Sequence, residues 1–456
     1  QSSFPESDIR CREEARARVS TLSVRQHYLE RYAEPEAQEL WRSDSALSQI
    51  GQGVKELFVL PAYDERIDVL SSFLEMPAHQ NLLSIWVLNA PHPVVDKTKA
   101  RLRTQKTLEH FTKSLQAKEI SSRLYLAQVS QNHQVLIVDR CSEGNTIDPK
   151  HGVGLARKIG ADIAIAVAQT NLDIGWLHFC DADVALPDRY FSAVRDGLCI
   201  GASARSPSAM VYPFTHKASK GLELESALYD FKLRYYVAQL SGAGSPYAYH
   251  ALGSTMLINL DDYCKVRGVP KRPAGEDFYL LNKLAKHNGV VSLDEPELSI
   301  AGRDSERVPF GTGPALIKIG QHQQALQDYR YYHPKSFKAL GRLRFVLNNS
   351  AAEISPERFL ARLESSVSQD HVLPDVLDSL RFDRFLLHCS KQALHGQRAL
   401  AAFDDWFDAF TTLKFVHACR DLFYEDLPLG ALIEHGAELP ADLLEQYNTI
   451  LMNWSA

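Results

Sequence analysis

The chain has 456 residues, 45% hydrophobic and 23% charged, an ordinary globular composition with enough apolar material for two or three structural units. Its net charge of −6 argues against a nucleic-acid face or a polybasic membrane patch as the main partner surface. Seven scattered cysteines without a CxxC pair, no apolar run of the ~20 residues a bilayer demands, and no apolar stretch behind Arg10 and Arg12 predict a reduced, cytoplasmic protein with no signal peptide and no transmembrane segment.

Residues 1–52 are charged and helix-forming, with Glu13–Val19 and Val24–Tyr32 as helical runs and Pro35 and Gly51-Gln52-Gly53 as punctuation. An amino-terminal helical extension packing on the next domain is expected. Leu57–Leu60 is a strand that Pro61 should end, because proline cannot donate to a central ladder. An amphipathic helix follows, with Ile67, Leu70 and Phe73-Leu74 on one face. Leu82–Leu88 is a second strand ending at Asn89, Lys97 to about Lys118 is a charged helix, and Val135–Val138 is a third strand ending at Asp139. Gly152–Gln169 has Leu155, Ile159, Ile163 and Val167 at every fourth position, so it reads as a helix. Its Gly-x-Gly-x-x-Arg start imitates a dinucleotide fingerprint, but Cys141–Lys150 separate it from the preceding strand. Arg157 and Lys158 at that helix start are expected to contact a phosphate or nucleotide sugar.

Ile174–Leu186, IGWLHFCDADVAL, is the most informative stretch. A short apolar strand runs directly into Asp181-Ala182-Asp183, and open α/β sheets bind ligands at the carboxyl ends of their strands. Two carboxylates one residue apart suit Mg²⁺ or Mn²⁺, which also accept oxygens from a phosphate. Alternating strands and helices predict a mostly parallel sheet with its site along one edge. In the run Leu228–Tyr236 the aromatic spacing is helical, which points to core packing. Ser241–Asn259 is a Gly/Ser-rich loop entering a strand at Thr255. On it, Tyr247, Tyr249 and His250 are candidate acceptor contacts, and Gly253-Ser254 allow close backbone approach by a ligand. Gly275-Glu276-Asp277 opens a helix, where acidic residues complement the macrodipole and a carboxylate is well displayed as a general base.

Taken in order, Pro61-Ala62-Tyr63-Asp64-Glu65, Gly154–Gly160, Asp181-Ala182-Asp183 and Gly275-Glu276-Asp277 resemble the motifs of the GT-A-fold glycosyltransferases of family 2, over about residues 54–315. The resemblance implies a GT-A-like nucleotide-binding sheet flanked by helices. It implies metal-dependent, inverting transfer of a sugar from a nucleotide-diphosphate sugar donor to a hydroxyl-bearing acceptor. By motif position Pro61, Ala62, Tyr63 and Glu65 would line the nucleotide pocket, with Asn89, Asp139, Arg157 and Asp181 contributing. Asp183 with Asp181 would hold Mn²⁺ or Mg²⁺, and Asp277, with Glu276 beside it, would be the base. The family's usual Asn is Asp64 here, and residues 93–133 form a long insertion. A retaining enzyme would share the Asp181/Asp183 site without needing Asp277. A nucleotidyltransferase would need a Gly-rich basic loop after the first strand, which is absent. A non-catalytic sugar- or partner-binding protein on the same scaffold is the reading from another class.

Downstream, Arg303–Arg307 with Pro309–Pro314 read as a flexible loop in which Arg303 or Arg307 would close over the phosphates. Residues 316–456 are helical throughout, with His333–Asn349 as one helix, and read as an all-helical accessory domain for acceptor binding, docking or homo-oligomerisation. The expected domains are therefore 1–52, 53–315 and 316–456.

Overall fold

The computed structural model describes residues 20–50, 53–76, 81–92, 99–192, 206–303 and 311–454. Arg307, the Glu13–Val19 run, Gly51-Gln52, Lys97, Cys11 and Cys199 lie outside them. The protein is α/β, with a large mixed nine-stranded sheet and a mostly helical carboxyl-terminal region. Its packing forms two compact units, Gln1–Thr215 with Ala251–Ile300, and His216–His250 with Ala301–Ala456.

Twelve strands concern the argument, all but β9 and the last residues of β12 within the first unit. They are β1 (Glu56–Ala62), β2 (Leu82–Asn89), β3 (Lys118–Ser121), β4 (Leu124–Ser130), β5 (His133–Arg140) and β6 (Trp176–Phe179). After these come β7 (Val184–Ala185), β8 (Ala209–Val211), β9 (Phe214–Ala218), β10 (Met256–Asn259), β11 (Val290–Ser292) and β12 (Leu298–Gly302). The large sheet has the order β11-β8-β10-β6-β1-β2-β5-β4-β3. Its centre, β6-β1-β2-β5, is parallel, so four carboxyl ends lie along one edge. β10 runs antiparallel between β6 and β8, and the β3-β4 hairpin adds antiparallel strands to β5. The mostly parallel expectation thus holds for the centre only. The sequence reading misses β3 and β4 because the insertion lacks the long apolar runs that mark buried strands.

β1 does not stop before Pro61. It continues to Ala62, with Pro61 opposite Val87 and Ala62 opposite Leu88. The Val59 carbonyl accepts the Cys180 N–H (3.1 Å), so Val59 faces β6. By the two-residue alternation of a strand Pro61 faces the same way, beyond the Val59–Phe179 end of that ladder, where no N–H is required. The next helix is also shorter than expected: Ile67–Ser71 is α-helical and Ser72–Glu75 is a 3₁₀ turn. Leu70 and Phe73 are buried, whereas Ile67 is exposed.

The helix Gly152–Ala168 is buried on every side from Gly154 onward. One face lies on β1 and β2, where a side chain on Gly160 would meet Val59 Cγ1 at 2.6 Å. The opposite face is covered by the amino-terminal helices, residues 20–31 and Pro35–Trp41. Lys158 there donates to Tyr28 Oη (2.7 Å), the Tyr32 carbonyl (2.8 Å) and Asp162 (2.7 Å). Asp162 also accepts from Tyr28, Tyr263 and the Glu34 N–H. Arg25 reaches the Ala168 and Ile174 carbonyls and Asp261. Residues 20–50 therefore pack on the sheet domain, anchored by a satisfied buried polar network.

The second unit is built from the helix Glu223–Gly242 and the helices that follow Thr312. Phe231, Tyr235, Tyr331, Phe337, Phe403, Phe415 and Tyr447 lie in its apolar core. The expected domain boundary at 315 misses this arrangement. Leu228, Phe231, Tyr235 and Leu240 bury themselves with the carboxyl-terminal helices, so 216–250 join that unit although they lie inside the sheet domain's sequence span. His333–Asn349 is a single helix as read, spanning Pro334–Ser350, with His333 Nδ1 accepting the Lys335 N–H. Among the described residues, no helix is long and apolar enough to cross a membrane.

Candidate functional site at the strand ends

β6 delivers Cys180, Asp181 and Asp183 to the carboxyl edge of the sheet, and a turn follows in which the Asp181 carbonyl accepts the Val184 N–H (3.3 Å). The centre of the site is Arg157, which is 3% exposed. Its Nε donates to Glu276 Oε1 (2.7 Å), Nη1 to the Gly253 carbonyl (2.8 Å) and Nη2 to Asp181 Oδ1 (2.5 Å). One guanidinium thus joins three chain segments, using the planar fork that lysine lacks. Burial alone would lower its proton affinity, but Asp181, Glu276 and Asp277 outweigh that and hold it above its ordinary value.

Glu276 and Asp277 open the helix Glu276–Ala285, turned into place by Gly275 at φ +71°. Burial pushes the Asp277 carboxyl up, Glu276 adds to the rise, and Asp181 contributes further. Arg157 and the Phe278 N–H, 2.7 Å from Asp277 Oδ1, oppose it, leaving the group at about 7. Burial is the largest cause, and the nearby cation offsets it only in part because Glu276 and Asp181 take its hydrogen bonds.

Other predicted residues stand elsewhere or do other work. Gly253 and Ser254 are buried in a 3₁₀ turn before β10. A side chain on Gly253 would stand 2.5 Å from Arg157 Cζ, so the missing Cβ makes room for the guanidinium, not for a ligand. Gly152 and Gly154 likewise pack against Pro273 and against Pro270 and Arg272, which accounts for the fingerprint-like spacing. Lys158 is turned away into the Tyr28–Asp162 network. Pro61 and Ala62 are buried at the end of β1, with Tyr63 and Glu65 partly exposed just beyond. Asn89 ends β2 with its side-chain amide against the carbonyls of Val87 and Ala62, to which its nitrogen, turned that way, would donate at 3.3 Å. Asp139 accepts the N–H groups of Cys141 (3.0 Å) and Ser142 (2.9 Å) and the Asn145 amide (2.9 Å), capping its own loop. Burial works against its charge, but those donors hold the carboxyl below its ordinary value. His250 and Arg303 belong to the second unit. Burial, reinforced by Arg234, pulls the His250 imidazole down to about 4. Tyr247 and Tyr249 are buried there, Tyr247 donating to the Asp404 carbonyl (2.6 Å), so they are packing residues of that unit.

The insertion supplies residues that motif reading misses. Asp64 adopts a left-handed backbone (φ +56°), a conformation that, glycine aside, Asn and Asp tolerate best, which suits an Asx residue at this position. Arg103 grips both its carboxylate oxygens at 2.6 Å, and Thr104 Oγ1 accepts its N–H at 3.0 Å. A cleft of about 550 Å³ opens here between Asp64–Asp68 and Arg103, Lys106 and Thr107. The role of Arg157 had a visible signal. It, Lys158 and Asp162 are the charged residues of an otherwise apolar helix, and buried charges must be paired.

Among the described residues no three His, Cys, Asp or Glu side chains gather to hold a metal. The protein offers two neighbouring carboxylates at the end of β6, a donor set that suits a hard cation taking its remaining oxygens from water and phosphate. No protein-family model matches the chain, and no curated protein matches it.

Proposed function

We propose that the chain is a GT-A-like transferase that moves a sugar from a nucleotide-diphosphate sugar to an acceptor hydroxyl, with inversion. The observation that carries this reading is Asp277, a carboxyl held at about 7 beside Asp181 and Glu276 at the carboxyl edge of a parallel sheet. A base acts best when its proton affinity lies near the working pH. The parallel order of β5-β2-β1-β6 with β10 antiparallel supports the same assignment, since a ligand crevice lies outside such strand ends.

In this reading Asp183 and Asp181 hold Mg²⁺ or Mn²⁺, which when bound supplies Lewis-acid stabilisation of the departing diphosphate. Arg157 is a positioning residue. It fixes Asp181 and Glu276 in one geometry and leaves Asp277 with too little positive charge to ionise early. Asp277 takes the acceptor hydroxyl's proton as that oxygen attacks the sugar from the face opposite the diphosphate. The Tyr63–Glu65 segment and the cleft at Arg103 and Lys106 border the donor.

The test is thermal unfolding with UDP, GDP, CDP and their sugar conjugates, with Mn²⁺ or EDTA. A nucleotide at about 100 times its Kd adds roughly 2.7 kcal/mol to the folded state. A rise with one nucleotide that EDTA removes, and that Asp183→Ala abolishes, is the expected outcome. The ion pair from Arg157 to Asp181 favours one second reading, a non-catalytic sugar- or partner-binding scaffold. No rise with any nucleotide would select it.

A further inference from the structure

We propose that Thr312, His216 and Asp230 form a nucleophilic acyl-transfer site in the second unit, acting on carboxylic esters. The inference is independent of the transferase reading.

His216 lies on β9 with its side chain 1% exposed, and Asp230 lies on the helix Glu223–Gly242 with its side chain 6% exposed. Asp230 holds His216 at two points. Oδ1 faces the imidazole Nδ1, and Oδ2 accepts the His216 peptide N–H at 2.9 Å. A carboxylate oxygen facing Nδ1 suits the tautomer with the proton on Nδ1, the one in which Nε2 can accept. Thr312 Oγ1 is 3.0 Å from Nε2 and in that tautomer is its donor. A hydroxyl, a base within hydrogen-bond reach and a carboxylate orienting that base make up the triad that activates a weak oxygen nucleophile.

The setting of Thr312 suits this use. It is the first residue of the nine-residue helix Thr312–Gly320, and the N-cap is Gly311, with no side-chain capping bond. Its hydroxyl is therefore not consumed by the cap, where Ser and Thr usually serve. Gly311 at φ +118° makes a sharp turn into the helix that favours glycine, and Thr312 stays partly exposed while its base is buried. A helix amino end favours the negative charge that develops on a carbonyl oxygen. Tyr229, its ring 5.6 Å from the imidazole, adds apolar surface.

The step balances without a further reagent. Thr312 Oγ bonds to the ester carbonyl carbon as its proton passes to His216 Nε2. The bond to the alcohol oxygen breaks, and that oxygen takes the proton from Nε2. Water, or a second alcohol, then attacks the acyl-threonine, losing its proton to Nε2. The bond to Thr312 breaks and Oγ recovers the proton. Ester and water become acid and alcohol. Asp230 is a positioning residue throughout.

The full chain is treated with an alkyl fluorophosphonate and mapped by peptide mass, and with p-nitrophenyl acetate for a burst. One phosphonyl adduct on Thr312 and a burst of about one equivalent are expected. His216→Gln and Thr312→Val should lower the labelling rate about 100-fold or more, while Thr312→Ser keeps it. Asp230→Asn should slow labelling at least about tenfold with little change in unfolding temperature, and Asp230→Glu should restore part of the rate. No adduct on Thr312 in the folded wild-type chain overturns the proposal. So does labelling of equal rate in wild type and His216→Gln, and Thr312→Ser guards against a variant that merely fails to fold.

Discussion

Asp277→Asn separates the electrostatics of the strand-end site from any activity. In the folded chain the carboxyl sits at about 7 against an ordinary 3.8. An acid whose folded pKa is raised holds a proton that the unfolded chain has already released. The native state therefore loses stability as pH rises from about 4 to about 7, and below about 4 the two states are alike. At ~1.36 kcal/mol per tenfold in proton affinity, the gap sets a ceiling of about 4 kcal/mol at pH 8. Asp277 is partly exposed, so water screens some of this, and about 2–3 kcal/mol is the expected net. Asparagine keeps the shape and cannot ionise. Urea unfolding of both proteins at pH 4.5 and pH 8 measures the effect as a difference of differences, in which titrating groups that do not interact with Asp277 cancel. The variant should gain about 2–3 kcal/mol on the wild type between the two pH values. An equal stability gap at both would refute the claim that Asp277 is held back from ionising. If Asp277 is also the base, the same variant keeps nucleotide binding and loses sugar transfer.

Arg157→Met leaves Asp181 and Glu276 without their shared cation and should cost about 3–5 kcal/mol, read by urea unfolding at pH 7. Arg157→Lys should not restore it, because one ammonium cannot span the three acceptors. Gly253→Ala drives a methyl into the Arg157 guanidinium and should cost about 1–3 kcal/mol, whereas Gly430→Ala, which meets open space, serves as the neutral control. Lys158→Met strands Asp162 in the interior and should cost about 3–5 kcal/mol at pH 8. That loss should shrink toward pH 5, because burial already raises Asp162 and protonation removes its charge. Equal losses at both pH values would mean that Asp162 draws its charge compensation elsewhere.

Much of the frame was present in local pattern. Apolar runs of strand length marked β1, β2, β5 and β6, and four-residue periodicity marked the helix Gly152–Ala168 and the carboxyl-terminal helices. These signals survive in a sequence because burial of one face acts residue by residue. The acidic motifs at Asp181–Asp183 and Glu276-Asp277 were likewise visible, since strand and helix ends display them whatever lies across from them.

Only the tertiary structure decided what those carboxylates meet. Arg157, Gly253, Asp181 and Glu276 come from segments far apart in the chain, and burial among them, with the charges of Glu276 and Asp181, gives Asp277 its raised proton affinity. Proton affinity depends on charges a few ångströms away in space, and spacing along the chain carries no record of that. The same reason hid the double origin of the helical unit. Residues 216–250 are interrupted in sequence from their packing partners, and apolar faces find one another by surface complementarity, not by order.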